Sequence, residues 1–308
     1  MTLLDANGLD EQEFLARYNP KDYDRPSVTV DMVIFAVADV PCVDYRRLSR
    51  KELRVLLIKR GGHPCIGQWA LPGGFVESTE TVGEAAIREV IEETGVECRS
   101  IEQLRVFSKP KRDPRTRIIG CAHMALVNIS RADVKAGDDA RDAKWFTVRV
   151  IEDQAAITSA DTDEDTPSSS SHAKEDSTSA AFNPDSDTAI TRLTLSHDDI
   201  RLSATIACSH NLFEPEILEN DGLAFDHAAM ISDAIHRLRS SLAHTDAAFR
   251  LMPETFTLTE LQQTYEAILD KPLHKAAFRR KVSELVTATG NYTQHAGHRP
   301  SQLYIRRR

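Results

Sequence analysis

Three glutamates, Glu89, Glu92 and Glu93, stand at i, i+3 and i+4, so that on a helix their carboxylates share one face. Like charges at this spacing repel and cost a bare helix a few tenths of a kcal/mol per pair. A solvated acidic face is the ordinary explanation for such a cluster. Here, however, Gly73 and Gly74 precede it, Glu80 and Arg88 surround it, and Gly95 follows it. Hard oxygen donors converging on one point suit magnesium or manganese, with the remaining positions filled by water and substrate phosphates. Arg88 can neutralise part of the cluster by pairing with Glu80, and the glycines allow tight backbone geometry, with a carbonyl as a further ligand.

The run GGFVESTETVGEAAIREVIEETGV resembles the Nudix signature G-x5-E-x7-R-E-U-x-E-E-x-G-U at each fixed position: Gly74, Glu80, Arg88, Glu89, Val90, Glu92, Glu93, Gly95 and Val96. Nine constraints make this far more specific than a lone glycine loop. The resemblance implies an α/β/α sandwich, divalent-metal dependence and hydrolysis of a nucleoside diphosphate linked to another group. Carried over residue by residue, it makes Glu89, Glu92 and Glu93 the ligands of Mg2+ or Mn2+, with the Gly73 carbonyl beside them, and Arg88 and Glu80 their orienting pair. A diphosphate repels hydroxide, so the metal must screen its oxygens and lower the pKa of a water. A carboxylate then positions or deprotonates that water. Glu92 or Glu93 can do this, as can a loop outside the box, where Asp138, Asp139 and Asp142 are the nearest acids. An acidic turn is the other reading of that loop.

The basic stretch Lys109 to Arg117 offers Arg112, Arg115 and Arg117 to phosphates or a ribose; an ordinary charged hairpin explains it equally. The layout resembles the ADP-ribose pyrophosphatase branch of the family, with Pro110 and Pro114 where such members carry a downstream proline.

These groups must be positioned by regular elements. Ser27 to Val37 and Leu53 to Lys59 are rich in β-branched and aliphatic residues and predict strands. Pro72-Gly73-Gly74 predicts a loop, and Val82, Ala86, Val90 and Ile91 recur at helical spacing, closed by Gly95. Further strands are predicted near Glu102 to Phe107, Arg117 to Val127 and around Trp145-Phe146. From Asp153 to Asp187 nine acids face one base, Lys174, and large apolar side chains are scarce, which predicts a disordered acidic insert. Ala189 to Leu195 and Ile200 to Ala207 then alternate as a hairpin. Phe225 to Leu242 reads as an amphipathic helix whose His227, His236 and Arg237 lie on a solvated surface. The fold class expected is α/β (α+β): a Nudix domain with a mixed sheet over 1–152, the insert over 153–187, and a hairpin and helix completing the domain over 188–245.

The remainder, 246–308, is predicted to be a separate unit rich in helix. Thr257 to Glu260 fits a capping box opening a helix with Leu261, Tyr265, Ile268 and Leu269 as its stripe. A second helix is expected from about His274 to Val286, with Phe278, Val282 and Leu285 packing inward, and Leu303 to Ile305 as a strand. Helix, turn, helix and a strand-bearing tip is the order of a winged helix. From Lys271 to Arg308 nine bases face one acid, Glu284, a net charge of +8 inside a chain whose total is −9. That is an electrostatic footprint for the phosphates of double-stranded DNA. Lys275, Arg279 and Arg280 are the expected contacts on the second helix, and His298, Arg299 and Gln302 those on the wing.

The two parts together resemble the Nudix-related repressors of NAD metabolism, on the strength of Gly297 to Tyr304 and Phe256 to Leu269. The resemblance implies a ligand-sensing Nudix domain joined to an operator-binding winged helix. Many such repressors have degraded boxes; this box is intact, which keeps catalysis open. The sequence therefore supports first a hydrolase of ADP-ribose or a related nucleotide, and as its alternative a ligand-sensing regulator. A homodimer is expected for either. The five cysteines form no C-x-x-C pair and suit a reducing cytoplasm. The acidic N-terminus lacks an apolar signal core, and no run of about 18 apolar residues predicts a membrane span.

Overall fold

The computed structural model describes residues 3–40, 50–98, 100–132, 134–135, 140–154, 188–209, 214–242, 246–293 and 300–307. The predicted acidic insert falls almost wholly outside the described residues, as do Asp138, Asp139, His298 and Arg299.

A short helix α1 (Glu11–Arg17), held by a capping box between Asp10 and Glu13, precedes the sheet. The strands are β1 (Ser27–Asp39), β2 (Lys51–Arg60), β3 (Trp69–Ala70), β4 (Ile101–Phe107), β5 (Ile118–Leu126), β6 (Ala140–Gln154), β7 (Ala189–His197), β8 (Ile200–Cys208) and β9 (Glu216–Asp221). They form one mixed sheet in the order β4-β5-β1-β2-β6-β7-β8-β9, with β3 paired to β2. Strands β1 and β5 run parallel; the other pairs are antiparallel. The hairpin of β7 and β8 extends the sheet that carries the glutamate box.

Alternation along β1 sorts its side chains onto two faces. Val30, Met32, Ile34 and Ala36 pack with Ala85, Ala86 and Val90 of α2 (Val82–Thr94). Val33, Phe35 and Val37 face the other way, into the cluster that holds Met230, Ile231, Ile235 and Leu238 of α3 (His227–Ser241). Helices on opposite faces of the sheet make the α/β/α sandwich that the box implied.

The C-terminal region contains α4 (Ala247–Arg250), α5 (Leu258–Leu269), α6 (Lys275–Val282), β10 (Val286–Tyr292) and β11 (Gln302–Arg306). The last two pair as an antiparallel wing. Its apolar residues Leu261, Tyr265, Ile268, Phe278 and Val282 join the same cluster as α3 and the sheet face. Polar ties cross the same boundary. Arg239 of α3 donates to the Ile268 carbonyl at 3.0 Å and to Glu152 at 2.7 Å. Arg149 of β6 reaches Asp270, beyond the end of α5, at 2.7 Å.

Two tail details differ from expectation. Helix α6 stops at Val282, because Val286 pairs with Arg306 and opens β10, a strand whose alternation is too polar to stand out in sequence. Leu285, expected to pack inward, is 41% exposed in the turn between the two elements.

Candidate functional site

Helix α2 starts at a capping box, where the Thr81 side chain accepts from the Glu84 N–H and Glu84 reaches back to the Thr81 N–H. It ends at Gly95, whose φ of 69° is the left-handed conformation that glycine adopts most easily. The two caps fix the helix, and Arg88 fixes the loop before it. Its guanidinium grips Glu80 through two bonds of 2.7 and 3.0 Å, the Phe75 carbonyl at 3.1 Å, Glu89 at 2.8 Å and Glu92 at 3.1 Å. The Arg88 contact holds the Glu80 carboxyl at about 2, well below the usual range.

A cavity of about 870 Å³ opens between this helix end and the sheet. Glu89, Glu93, Arg88, Gly73 and Gly74 form one wall. Gly73 donates its N–H to Glu93 at 2.8 Å. The two glycines are required by close approach: a Cβ at Gly73 would lie 2.1 Å from the Val30 carbonyl, and one at Gly74 only 2.2 Å from Glu89. Burial raises the Glu93 pKa to about 8, the Gly73 N–H offsetting only part of the effect. Burial likewise raises that of Glu89, against the pull of Arg88.

The opposite wall is built by residues far apart in sequence. Asp31 projects from the central strand β1 and is 7% exposed. His227, at the first turn of α3, accepts the Leu71 N–H on Nδ1 at 2.8 Å. That bond leaves Nε2 to carry the ring proton, which points at Asp31 Oδ1 over 3.2 Å. Burial alone would raise the Asp31 pKa, but His227, Arg112 and Arg60 together lower it. Arg112 forms a two-pronged pair with Asp226 at 2.6 and 2.7 Å. Nearer the mouth, the Arg115 guanidinium is braced by Asp113 and lies 5.2 Å from the Phe75 ring centre. Arg60 lies 5.0 Å from that of Phe225, a residue held at a φ of +49°. The left-handed backbone there is uncommon for a bulky side chain and belongs with sites where geometry is imposed.

Of the predicted residues, the cavity gathers Gly73, Arg88, Glu89, Glu93, Arg112 and Arg115. Glu80 acts from behind through Arg88. Glu92 turns to Arg88 with its side chain 58% exposed, outside the cavity lining. Arg117 does not line the cavity either; its guanidinium approaches the Ile118 carbonyl at 3.4 Å. Asp142 pairs with Lys144 rather than facing the glutamates. The expectation that His227 lies on a solvated helix surface is corrected: the chain entering α3 turns it beneath the sheet, where it is 4% exposed. Asp31 was passed over, although a carboxylate inside the apolar run SVTVDMVIFAV was a readable signal.

Among the described residues no group of three or more His, Cys, Asp or Glu side chains is gathered as a metal site. Glu89 and Glu93 nonetheless present hard oxygen donors to one cavity wall, and their burial without a full complement of positive charge suits a small divalent cation.

In the tail, Lys275, Arg279 and Arg280 are exposed on α6 while Phe278 and Val282 of the same helix are buried. Among the described residues no carboxylate pairs with these three bases, although the same unit pairs Arg306 with Asp246. Gln302 begins β11 and accepts from the Tyr304 hydroxyl at 3.1 Å.

Comparison with known proteins divides the chain the same way. A model of the NUDIX domain matches residues 40–165, and a model of the NrtR DNA-binding winged helix domain matches residues 248–305. Over 304 residues the chain is 30% identical to an ADPR responsive transcriptional repressor of Acinetobacter baylyi, covering 98% of this chain and 90% of that protein. An ADP-ribose pyrophosphatase of Methanocaldococcus jannaschii is 43% identical over 106 residues, covering 34% of this chain and 62% of that one. The crystal structure of Shewanella oneidensis NrtR with a 27mer DNA superposes with a TM-score of 0.55 at 25% identity, over 91% of this chain and 93% of that one.

Proposed function

We propose, from the premise that this chain belongs to the Nudix superfamily and within it to the NrtR-type transcriptional regulators, that it is a DNA-binding regulator whose cavity takes an ADP-ribose-like nucleotide. The observation that carries this reading is the exposed, uncompensated trio Lys275, Arg279 and Arg280 on a helix packed into the same core as the cavity-bearing domain. Phosphate contacts of this kind supply affinity, and side chains reaching base edges supply sequence. Arg299 joins them from the wing, and two copies of the chain read two half-sites as a homodimer in the cytoplasm.

Helix α3 links the two functions. Its first turn holds His227 in the cavity, and its last turn holds Arg239 against the end of α5. A 15-residue helix spans about 22 Å as one rigid element. Ligand that shifts the N-terminal end therefore biases how the winged helix is carried. Within the cavity, Arg112 and Arg115 offer positive charge to the diphosphate, and Phe75 and Phe225 offer aromatic faces to a base.

A second reading, hydrolysis of the same ligand, is supported by the complete glutamate box. Members of the superfamily generally bind divalent metal; here Glu89, Glu93 and the Gly73 carbonyl would hold Mg2+ or Mn2+, with Glu92 joining them after leaving Arg88. When bound, the metal screens diphosphate oxygens and makes a bound water more acidic. Glu92 or Glu93 positions or deprotonates that water, while Arg88 and Glu80 keep the carboxylates in register. The comparisons favour the regulator over the hydrolase as the principal role.

The test is fluorescence anisotropy of promoter DNA with the full chain. Binding should weaken steeply with salt and respond to ADP-ribose. Arg279→Ala should lower affinity and reduce the slope of log K against log salt by about one. Absent or salt-independent DNA binding overturns the regulator. For hydrolysis, ADP-ribose with magnesium should yield AMP, and Glu92→Gln with Glu93→Gln should abolish it; no product from the unmutated protein removes that reading.

A further inference from the structure

The geometry points to Asp31 as the residue that selects the sugar attached to the diphosphate, by accepting a hydrogen bond from one of its hydroxyls. This rests on the nucleotide reading of the cavity and adds which part of the ligand is discriminated.

Asp31 lines the cavity from the central strand. Its Oδ1 is occupied by His227, whose tautomer is fixed by the Leu71 N–H. Its Oδ2 is buried and has no hydrogen-bond partner. The nearest cation to that oxygen, Arg112 Nη2, stands 3.8 Å away, beyond hydrogen-bond reach, and is committed to Asp226. Gly120 leaves no room for Arg112 to retreat, since a Cβ there would lie 2.8 Å from Nη1. A buried carboxylate oxygen left without a donor is costly, so the site is built to receive one.

The charge of Asp31 decides what that donor is. A carboxylate repels a phosphate, so the diphosphate lies toward Arg112 and Arg115 and the glutamate wall. What reaches Oδ2 must be an uncharged donor. Asp31 is next to Gly73, whose added Cβ would come within 3.0 Å of the Asp31 Cα, so Oδ2 lies beside the end of the box. A group joined directly to the diphosphate reaches it most simply, and in a nucleoside diphosphate sugar that group is the terminal sugar. The exocyclic amine of the base is the other neutral donor on such a ligand. The aromatic rings at the mouth, Phe75 and Phe225, favour placing the base there instead.

The experiment is isothermal titration of the full chain, in magnesium buffer, with the α,β-methylene analogues of ADP-ribose, ADP and inosine diphosphate ribose, none of which can be cleaved at the diphosphate. The unmutated protein should bind the ADP-ribose analogue about tenfold or more tighter than the ADP analogue, the scale of one charge-assisted hydrogen bond. The inosine analogue, which lacks the amine, should match ADP-ribose within about threefold. Asp31→Ala should collapse the preference for the sugar-bearing ligand. Equal affinity for the first two ligands in the unmutated protein overturns the assignment without any variant having to fold. So does a loss confined to the inosine analogue, or an Asp31→Ala protein in which both affinities fall by the same factor. If none of the three ligands binds, the nucleotide reading itself fails.

Discussion

Glu93→Gln should stabilise the metal-free protein at alkaline pH while weakening its response to metal. The Glu93 carboxyl titrates at about 8 in the fold, against an ordinary value of 4.5, because it is buried with Glu89 and Asp31 close by. Between those values the folded state keeps a proton that the unfolded chain has released, so stability falls as pH rises. At about 1.4 kcal/mol per pH interval, the cost reaches about 3 kcal/mol at pH 7 and levels off near 4–5 kcal/mol above pH 8. Glutamine removes the titration and keeps an acceptor for the Gly73 N–H, although burying an amide offsets part of the gain. The net expectation is about 1–3 kcal/mol of added stability at pH 8 and less than about 0.5 kcal/mol at pH 5. Urea denaturation in EDTA across pH 5 to 9 measures both. Adding magnesium should then stabilise the unmutated protein more than the variant, because binding to the native state adds to its stability. A variant that is no more stable than the parent at pH 8, or a parent whose stability is flat from pH 5 to 8, refutes the burial account of Glu93.

Gly74→Ala places a methyl group 2.2 Å from Glu89 Oε1, the far end of a flexible side chain, so the carboxylate should move while the fold survives. Magnesium affinity should drop about tenfold or more with little change in melting temperature in EDTA; a protein that unfolds or binds metal normally contradicts this. Arg239→Ala removes the tie between α3 and the Ile268 carbonyl. Ligand and DNA should each still bind, but the effect of ADP-ribose on DNA affinity should shrink, as read by anisotropy with and without ligand. An undiminished ligand effect would take α3 out of the coupling.

The parts of this protein that were legible in its sequence are those whose cause is local. Thr81 caps the residues immediately after it, the glutamates repeat at helical spacing, and Gly95 closes the turn that they begin. The box therefore announced both its helix and its chemistry. The opposite wall has no local cause. His227 meets Leu71 across 156 positions of chain, and that encounter exists only because β1, β3 and the start of α3 converge. On α3 alone, a histidine beside an aspartate at the first turn reads as surface, and the helical stripe that defines the core side gives no reason to doubt it. Asp31 differs in kind. Its alternation neighbours Thr29 and Val33 are buried along with it, so an ionised group there already contradicted the strand around it. A polar residue that violates the pattern of its own element needs a partner elsewhere. Half of that need is met by His227, and the half left open on Oδ2 faces the cavity. The same logic separates Arg112 from Arg117: both sit in one basic loop, but only Arg112 meets a carboxylate brought from α3's first turn, and only Arg112 lines the cavity. Composition could mark the loop as basic; the direction in which each arginine is used depends on Asp226, which enters the site only when the sheet and α3 are assembled.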